Sequence, residues 1–567
     1  MHQRQNPKKL KIHPFKVKRN NKIKKIVFLK NHLVLLSGFL FFWVLNACAA
    51  EPEKPVKVCL AGDAIVVGSL GDARTLIPIL ASDSLSAEIC HFLFNGLVKY
   101  DKNLELVPDL ASSWDILDGG LKIIFHLKKG VRWHDGKEFS AEDVAFTFLK
   151  LQDPNVKTPY ASDFLKVKSF KAIDRYTIEV LYDEPFSPGL ASWSMGIMPK
   201  HILEGQDLNL NDFSKHPIGT GPYKFKKWKR QEVIELVANE DYFEHAPFIS
   251  RYISRVIPDQ ATLFLEVEAK GVDYTGLSPL QFSRQTDSAF FHKFYNKYRT
   301  PGFGYTYLGY NLKNKMFQDK KVRQALNYAV DKDEIIKINL LGLGQLTTGP
   351  FLPGSWAYSK DIPDVGFNPQ RAIELLREAG WQDFNHDGYL EKDGQVFEFT
   401  ILTNQGNDLR VKTAELIQKY LKNIGIKAKI KVLEWSSLLS EFIDKRKFEA
   451  VLLGWALSRD PDCFDIWHSS KQREGEFNFL SFENRKVDRL LEVARRTFDV
   501  NERAVCYREI QAILYDEQPC MFLFVPDSLE ILSSRFKGVV PSLSGIGYNF
   551  IDWHVFKEEQ RYKSYIN

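Results

Sequence analysis

Cysteine is scarce: there are six in 567 residues. That is too few for a disulfide scaffold, and no CxxC pair suggests a zinc knuckle or a dithiol redox centre. Catalytic signatures are missing too. There is no GxSxG elbow, no HExxH, no P-loop and no GxGxxG after a strand-like run. No motif singles out a carboxylate pair for glycoside hydrolysis, and no repeat of fixed period is visible. Acidic residues are absent from positions 1–47, which carry eleven Lys and Arg. From residue 48 onward, 66 basic residues face 71 acidic ones. The body of the chain is therefore mildly acidic and lacks the basic surplus that a phosphate backbone requires, which excludes nucleic-acid binding.

What is present fits a folded protein: 26% charged, 44% hydrophobic and 13% aromatic residues. A chain of this length divides its core, so at least two lobes are expected. The apolar run at 33–45 is broken only by Ser37 and Gly38. It is shorter than the roughly 20 residues that span a bilayer, and it follows a basic region, the pattern of a secretory signal peptide. The run ends in Leu45-Asn46-Ala47-Cys48, which resembles a bacterial lipobox and makes Cys48 the candidate lipidation site; the alternative is a signal peptide cleaved nearby with Cys48 incidental. Residues 1–47 are then a signal peptide, and 48–59, with Glu51-Pro52-Glu53-Lys54-Pro55, a tether. Cys59, Cys90, Cys463, Cys506 and Cys520 remain, an odd number that leaves at least one thiol free.

Strand-like and helix-like runs alternate, which predicts an α/β fold. Strands are expected at Lys122–Leu127, Thr177–Tyr182, 396–403 and 449–455. Ile426, Ala428, Ile430 and Val432 alternate with lysines, as in a half-buried strand. Helical stripes run through Val322, Ala325, Leu326, Ala329 and Val330, through Ala414, Ile417, Leu421 and Ile424 with Gly425 as the C-terminal stop, and through Val487, Leu490, Leu491, Ala494 and Phe498. His134 belongs to a turn, Trp133-His134-Asp135-Gly136. Asp383, Asn385 and Asp387 have the spacing that opens a calcium loop, but Gly394 stands where the twelfth-position Glu belongs. The reading adopted is a plain Asx turn and a hairpin bracketed by Asp387-Gly388 and Asp393-Gly394, with no metal, and a calcium loop is the alternative.

Several stretches, in order, resemble the family 5 extracellular solute-binding proteins, the large receptors of oligopeptide and dipeptide ABC importers. They are Phe94-Asn95-Gly96-Leu97-Val98-Lys99-Tyr100-Asp101, Pro108-Asp109-Leu110-Ala111-Ser112-Ser113-Trp114, and Phe125-His126-Leu127-Lys128-Lys129-Gly130-Val131-Arg132-Trp133-His134-Asp135-Gly136 running on to Phe139-Ser140-Ala141-Glu142-Asp143-Val144. Later come Gly219-Thr220-Gly221-Pro222-Tyr223, Lys321-Val322-Arg323-Gln324-Ala325-Leu326, Ala379-Gly380-Trp381, Ile424-Gly425-Ile426 and Gly454-Trp455. The resemblance covers residues 62–556. It implies a two-lobed, periplasmic-binding-protein-like type II fold with an extra subdomain in the first lobe. Lobe I is expected at 60–305 plus 526–567, with the inserted subdomain at about 95–215, and lobe II at 306–525. Crossover strands near Gly304–Tyr310 and 521–525 form the hinge. The Gly-Thr-Gly-Pro-Tyr stretch is expected to be a tight structural turn.

The resemblance also implies a binding protein without catalysis or cofactor. It is a monomer whose partners are a peptide ligand, a membrane permease and its ATPase subunits, and it is exported and lipid-anchored at the membrane. The same fold carrying a nickel chelate, haem, opine or sugar is the alternative. In the family's peptide receptors an Asp three residues after Gly-Trp holds the ligand's α-ammonium; Ser458 stands there, with Asp460 and Asp462 just beyond. Dipeptide receptors hold the ligand carboxylate with an Arg where this chain has Asn404, and Arg410 is expected to face outward. Ser82, Asp83 and Ser84 are the first-lobe candidates, with Ser84 as the competing helix N-cap. Trp455 is the expected aromatic wall of the pocket.

Overall fold

The computed structural model describes residues 61–210 and 212–562. The expected signal peptide and tether, with Cys48 and Cys59, lie outside the described residues. Ten strands hydrogen-bond in one path: Lys427–Leu433, Glu398–Asn404, Ala450–Ala456, Gly304–Tyr310, Cys520–Ser533, Tyr274–Gly276, Gly62–Ser69, Ile249–Val256, Val233–Ala238 and Tyr223–Lys229. The inner strands are apolar runs buried on both faces. Ala450–Ala456 and Gly304–Tyr310 read that way because helices and loops cover the sheet on each side. Lys427–Leu433 is an edge strand. Its alternating lysines face outward, and Lys427 and Lys429 both pair with Glu398 on the neighbouring strand.

The fourteen-residue strand Cys520–Ser533 carries the path from one lobe to the other. Its first half pairs with Gly304–Tyr310, from Cys520 opposite Gly309 to Phe524 opposite Thr306. Its second half pairs with Tyr295–Pro301, from Asp527 opposite Pro301 to Ser533 opposite Tyr295. At the change-over the Gly302 amide donates to Pro526 O over 3.0 Å. A Cβ on Gly302 would stand 2.5 Å from that oxygen, so the close crossing requires glycine.

A separate antiparallel sheet, Ala111–Leu117, Lys122–Leu127, Thr177–Tyr182 and Val167–Asp174, builds the inserted subdomain. The helix Ala141–Gln152 packs on it through Phe148, which stacks on Phe170 at 4.6 Å. That helix starts at Ser140, where Ser140 and Asp143 form a capping box. Of the expected helices, Lys320–Ala329 and Asp408–Asn423 match their stripes, and Gly425 takes the left-handed conformation (φ 79°) that stops the second. The third, Arg485–Arg496, ends before Phe498. Asp499 caps the next helix, Val500–Glu517, so the chain must leave helical geometry at that point.

The family-like motifs bind one another. His134 Nδ1 accepts from the Gly219 amide (3.0 Å), so Nε2 carries the proton and donates to Gly221 O (3.0 Å). Burial pulls this imidazole down to about 4. Gly219 and Gly221 lie against the end of the helix Ser84–Leu93, where the Gly221 amide donates to Leu93 O. A Cβ on Gly219 would meet Leu93 O at 1.7 Å, so these glycines serve close backbone contact. Asp109 is buried, and Asn95 donates to both of its oxygens at 3.1 Å. Burial pushes the Asp109 carboxyl up to about 6. Arg323 is buried among the carbonyls of Phe317, Gln318 and Glu517 (2.7–2.9 Å), and so closes the end of Val500–Glu517. Cys90, Cys463, Cys506 and Cys520 are all buried free thiols.

Candidate functional site

The strand Ala450–Ala456 ends beside Gly304–Tyr310, and its register sets Trp455 opposite Tyr305. The chain then leaves the sheet as the loop 457–463. Beneath that loop lies a cavity of about 250 Å³, lined by Leu104, Tyr305, Trp356, Trp455, Asp460 and Phe477 among others. Leu104 comes from the turn between Val98–Tyr100 and Leu106–Pro108, far earlier in the chain. It is 4% exposed and belongs to the same buried apolar cluster as Tyr305, Trp467 and Phe522. The cavity is thus closed by both halves of the molecule. Trp455 forms its aromatic wall, braced edge-on by Phe477 (5.5 Å) and in near-parallel stacking by Phe479 (5.9 Å).

The two loop carboxylates are not free. Arg503 grips Asp460 with two nitrogens at 2.9 and 3.0 Å and also donates to the Tyr507 hydroxyl. Arg495 grips Asp462 at 2.6–3.1 Å, and its guanidinium lies 3.9 Å from the Phe464 ring centroid. Burial pushes the Asp462 carboxyl above its ordinary value against the pull of Arg495. Asp462 also keeps its turn, since its amide donates to Asp460 Oδ1 at 3.0 Å. Ser458 is exposed at the cavity edge and donates to the Asp460 carbonyl.

Asn404 lies outside this cavity and accepts from Arg410 Nη1 at 2.7 Å. Arg410 therefore faces inward, contrary to the helical-wheel expectation. Asn407 caps its helix by accepting the Arg410 amide, which turns the first-turn side chains toward the strand ends. The guanidinium reaches Gly454, where a Cβ would meet it at 3.0 Å. Among the described residues Arg410 has no carboxylate partner.

On the first-lobe side, Asp83 and not Ser84 is the N-cap of Ser84–Leu93. Asp83 accepts from the Ser86 amide (2.9 Å) and hydroxyl (2.5 Å). Asp83 and Ser84 border an open recess beside Thr275 and Ser528, while Ser82 is exposed. The fold thus brings Trp455, Ser458, Asp460 and Asp462 together and leaves Asn404 and the Ser82–Ser84 segment apart from them.

Sequence reasoning missed Arg459. It borders the cavity and two further recesses, of about 450 and 140 Å³, both lined by His91. Its guanidinium lies 5.8 Å from the Tyr100 ring centroid. The three spaces around Arg459 together reach the several hundred Å³ of a ligand cleft. Arg495 and Arg503 were missed as well. They sit 33 and 43 residues from their partners, and no local pattern links them.

The family model for "Bacterial extracellular solute-binding proteins, family 5 Middle" matches residues 105–476. The chain belongs to the family 5 solute-binding proteins. This family 5 chain is 36% identical to the oligopeptide-binding protein AppA of Bacillus subtilis (strain 168) over an alignment of 548 residues that covers 93% of this chain and 99% of AppA. The structure of Bacillus subtilis AppA in complex with a nonapeptide matches with TM-score 0.69 and 34% identity, covering 88% of this chain and all of that one. NikZ from Campylobacter jejuni in complex with Ni(L-His) matches with TM-score 0.71 and 31% identity, covering 87% and 99%. These likenesses fix the two-lobed fold and the extracellular solute-binding class. Among the described residues no helix is long and apolar enough to cross a membrane.

Proposed function

We propose that this protein captures peptides between its two lobes and hands them to the permease of an ABC importer. The observation that carries the reading is the cavity under the loop 457–463, walled by Trp455 from one side of the hinge and plugged by Leu104 from the other. A site built from both lobes exists only when they meet, which couples ligand capture to closure. The proposed lobes are 60–305 with 526–567, carrying the inserted subdomain, and 306–525. The change of partner along Cys520–Ser533 at Pro526 supports that division. Likeness to an oligopeptide receptor supports peptide as the ligand class. Export with a lipid at Cys48, and a monomeric state, belong to the same proposal and rest on the sequence and the family.

Within the site, Trp455 and Ser458 are assigned ligand contact. Asp460 and Asp462 act through their arginine pairs, which hold the loop in place. A carboxylate already bonded by a guanidinium offers a ligand ammonium little net attraction. Asn404 acts by orienting Arg410, whose unpaired charge suits a ligand carboxylate. The Ser82–Ser84 segment is assigned to the neighbouring recess. Calorimetry tests this: Trp455→Ala should weaken peptide binding by at least about 30-fold, roughly 2 kcal/mol. Arg410→Met should weaken a free-acid peptide but not its C-terminal amide. Unchanged affinity in Trp455→Ala would remove the cavity from the binding site. A small metal chelate is the second reading, favoured by the likeness to NikZ and by His91 standing exposed in the recesses beside Arg459.

A further inference from the structure

After the helix Pro369–Glu378, the chain turns at Gly380 and Trp381 into the loop 383–388 and then enters the hairpin Glu391–Lys392 with Gln395–Val396. Gln382 and Glu391 exchange backbone hydrogen bonds (2.8 and 3.1 Å), which sets Asp383 beside Glu391. Asp383, Asp387 and Glu391 each place a carboxylate oxygen within 4.8 Å of the others. Asp383 and Asp387 are partly or fully exposed, but Glu391 is 8% exposed. Its Oε1 accepts the amides of Phe384 (3.1 Å) and Asn385 (2.9 Å). Its Oε2 is shut off from solvent and has no hydrogen-bond partner. A buried carboxylate with one unpartnered oxygen, clustered with two more carboxylates, is unfavourable on its own. A cation held among the three would resolve it.

We propose that Asp383, Asp387 and Glu391 bind a calcium ion. All three ligands are hard carboxylate oxygens, and no nitrogen or sulfur belongs to the cluster. That chemistry selects calcium over zinc or copper. An irregular loop supplying a few carboxylates suits calcium's variable coordination better than magnesium's strict octahedron. The buried carboxylate enters eight residues after Asp383, not at the twelfth position of the usual calcium loop. Trp381 stacks near Phe397 (4.4 Å) in the second-lobe core, and Leu390 donates to Gly425 O (2.8 Å). The ion therefore ties the loop to that core. None of the three residues lines the cavity or recesses of the cleft, so the test is independent of ligand identity.

The test uses the full exported chain, stripped with a chelator and exchanged into metal-free buffer. Calcium chloride at about 1 mM, a level at which extracellular calcium modules bind, should raise Tm by about 3 °C or more. The same concentration of magnesium should leave Tm within about 1 °C. Terbium should give luminescence sensitised by Trp381 and Tyr389, and calcium should quench it by displacement. Both Glu391→Gln and the more conservative, solvent-exposed Asp387→Asn should abolish the calcium shift and the luminescence. If Glu391→Gln does not fold, Asp387→Asn decides. No calcium shift in the native protein, or a full shift retained in Asp387→Asn, would overturn the assignment.

Discussion

Two titratable groups, the buried Asp109 and the half-buried His134, pull the stability of this protein in opposite directions with pH. Asp109 has its carboxyl raised to about 6 by burial. Between pH 4 and 6 the folded chain holds that proton more tightly than the unfolded chain, so this residue's contribution falls as pH rises through the window. His134 has its imidazole lowered to about 4 by burial. Over nearly the same window the unfolded chain binds the proton and the folded chain does not, so stability rises with pH. The two slopes offset. Asp109→Asn should therefore remove the falling limb between pH 4 and 6. It should also leave the rising His134 limb exposed in urea titrations at pH 4, 5, 6 and 7. An unchanged pH profile in the variant would show that Asp109 does not titrate in this window. Gly219 gives a steric counterpart. Gly219→Ala should cost several kcal/mol, because its Cβ would overlap the Leu93 carbonyl and neither backbone can yield. A urea midpoint within error of the native one would contradict this.

At the scale of elements, the strands and helices that position the site were legible in the sequence because each carries its own apolar pattern, one-faced where one face meets solvent and continuous where both are covered. The lysine alternation of 427–433 and the apolar run of 450–456 name an edge strand and an inner strand directly. The loop between strand and ligand was not legible. The fates of Asp460 and Asp462 are decided by arginines from helices that follow later, and the direction of Arg410 by the cap at Asn407. Those are tertiary facts with no period. On the proposed function, Leu104 is the element-scale device of closure. It sits at a hairpin tip with φ 65°, inserted among aromatic residues of the other lobe. In an open molecule that side chain returns to water. Leu104→Ala should thus weaken ligand binding by about tenfold, near 1.4 kcal/mol, by shifting the open–closed balance. The melting of the ligand-free protein should be little changed. Calorimetry and calorimetric scanning on the same preparation separate the two, and unaltered affinity would show that Leu104 is not part of closure.

For the whole molecule, the long strand Cys520–Ser533 and the adjoining Gly304–Tyr310 are the proposed hinge, whose covalent path is continuous through both proposed lobes. The far rim is held by weaker bonds. Ser187 donates its amide to Arg495 O (2.6 Å) and its hydroxyl to Ala494 O (3.1 Å), and Arg496 pairs with Glu184 at 3.1 Å. Such rim contacts break and re-form more easily than the sheet, so the molecule should open there. The central claim is that closure at this rim traps an intact peptide against Trp455. The most direct measurement is native mass spectrometry of the exported chain after incubation with an equimolar mixture of peptides of graded length and nickel–histidine. The account predicts a one-to-one complex with an uncleaved peptide, lost in Trp455→Ala. A complex with nickel–histidine alone, a cleaved peptide or no complex at all would contradict it.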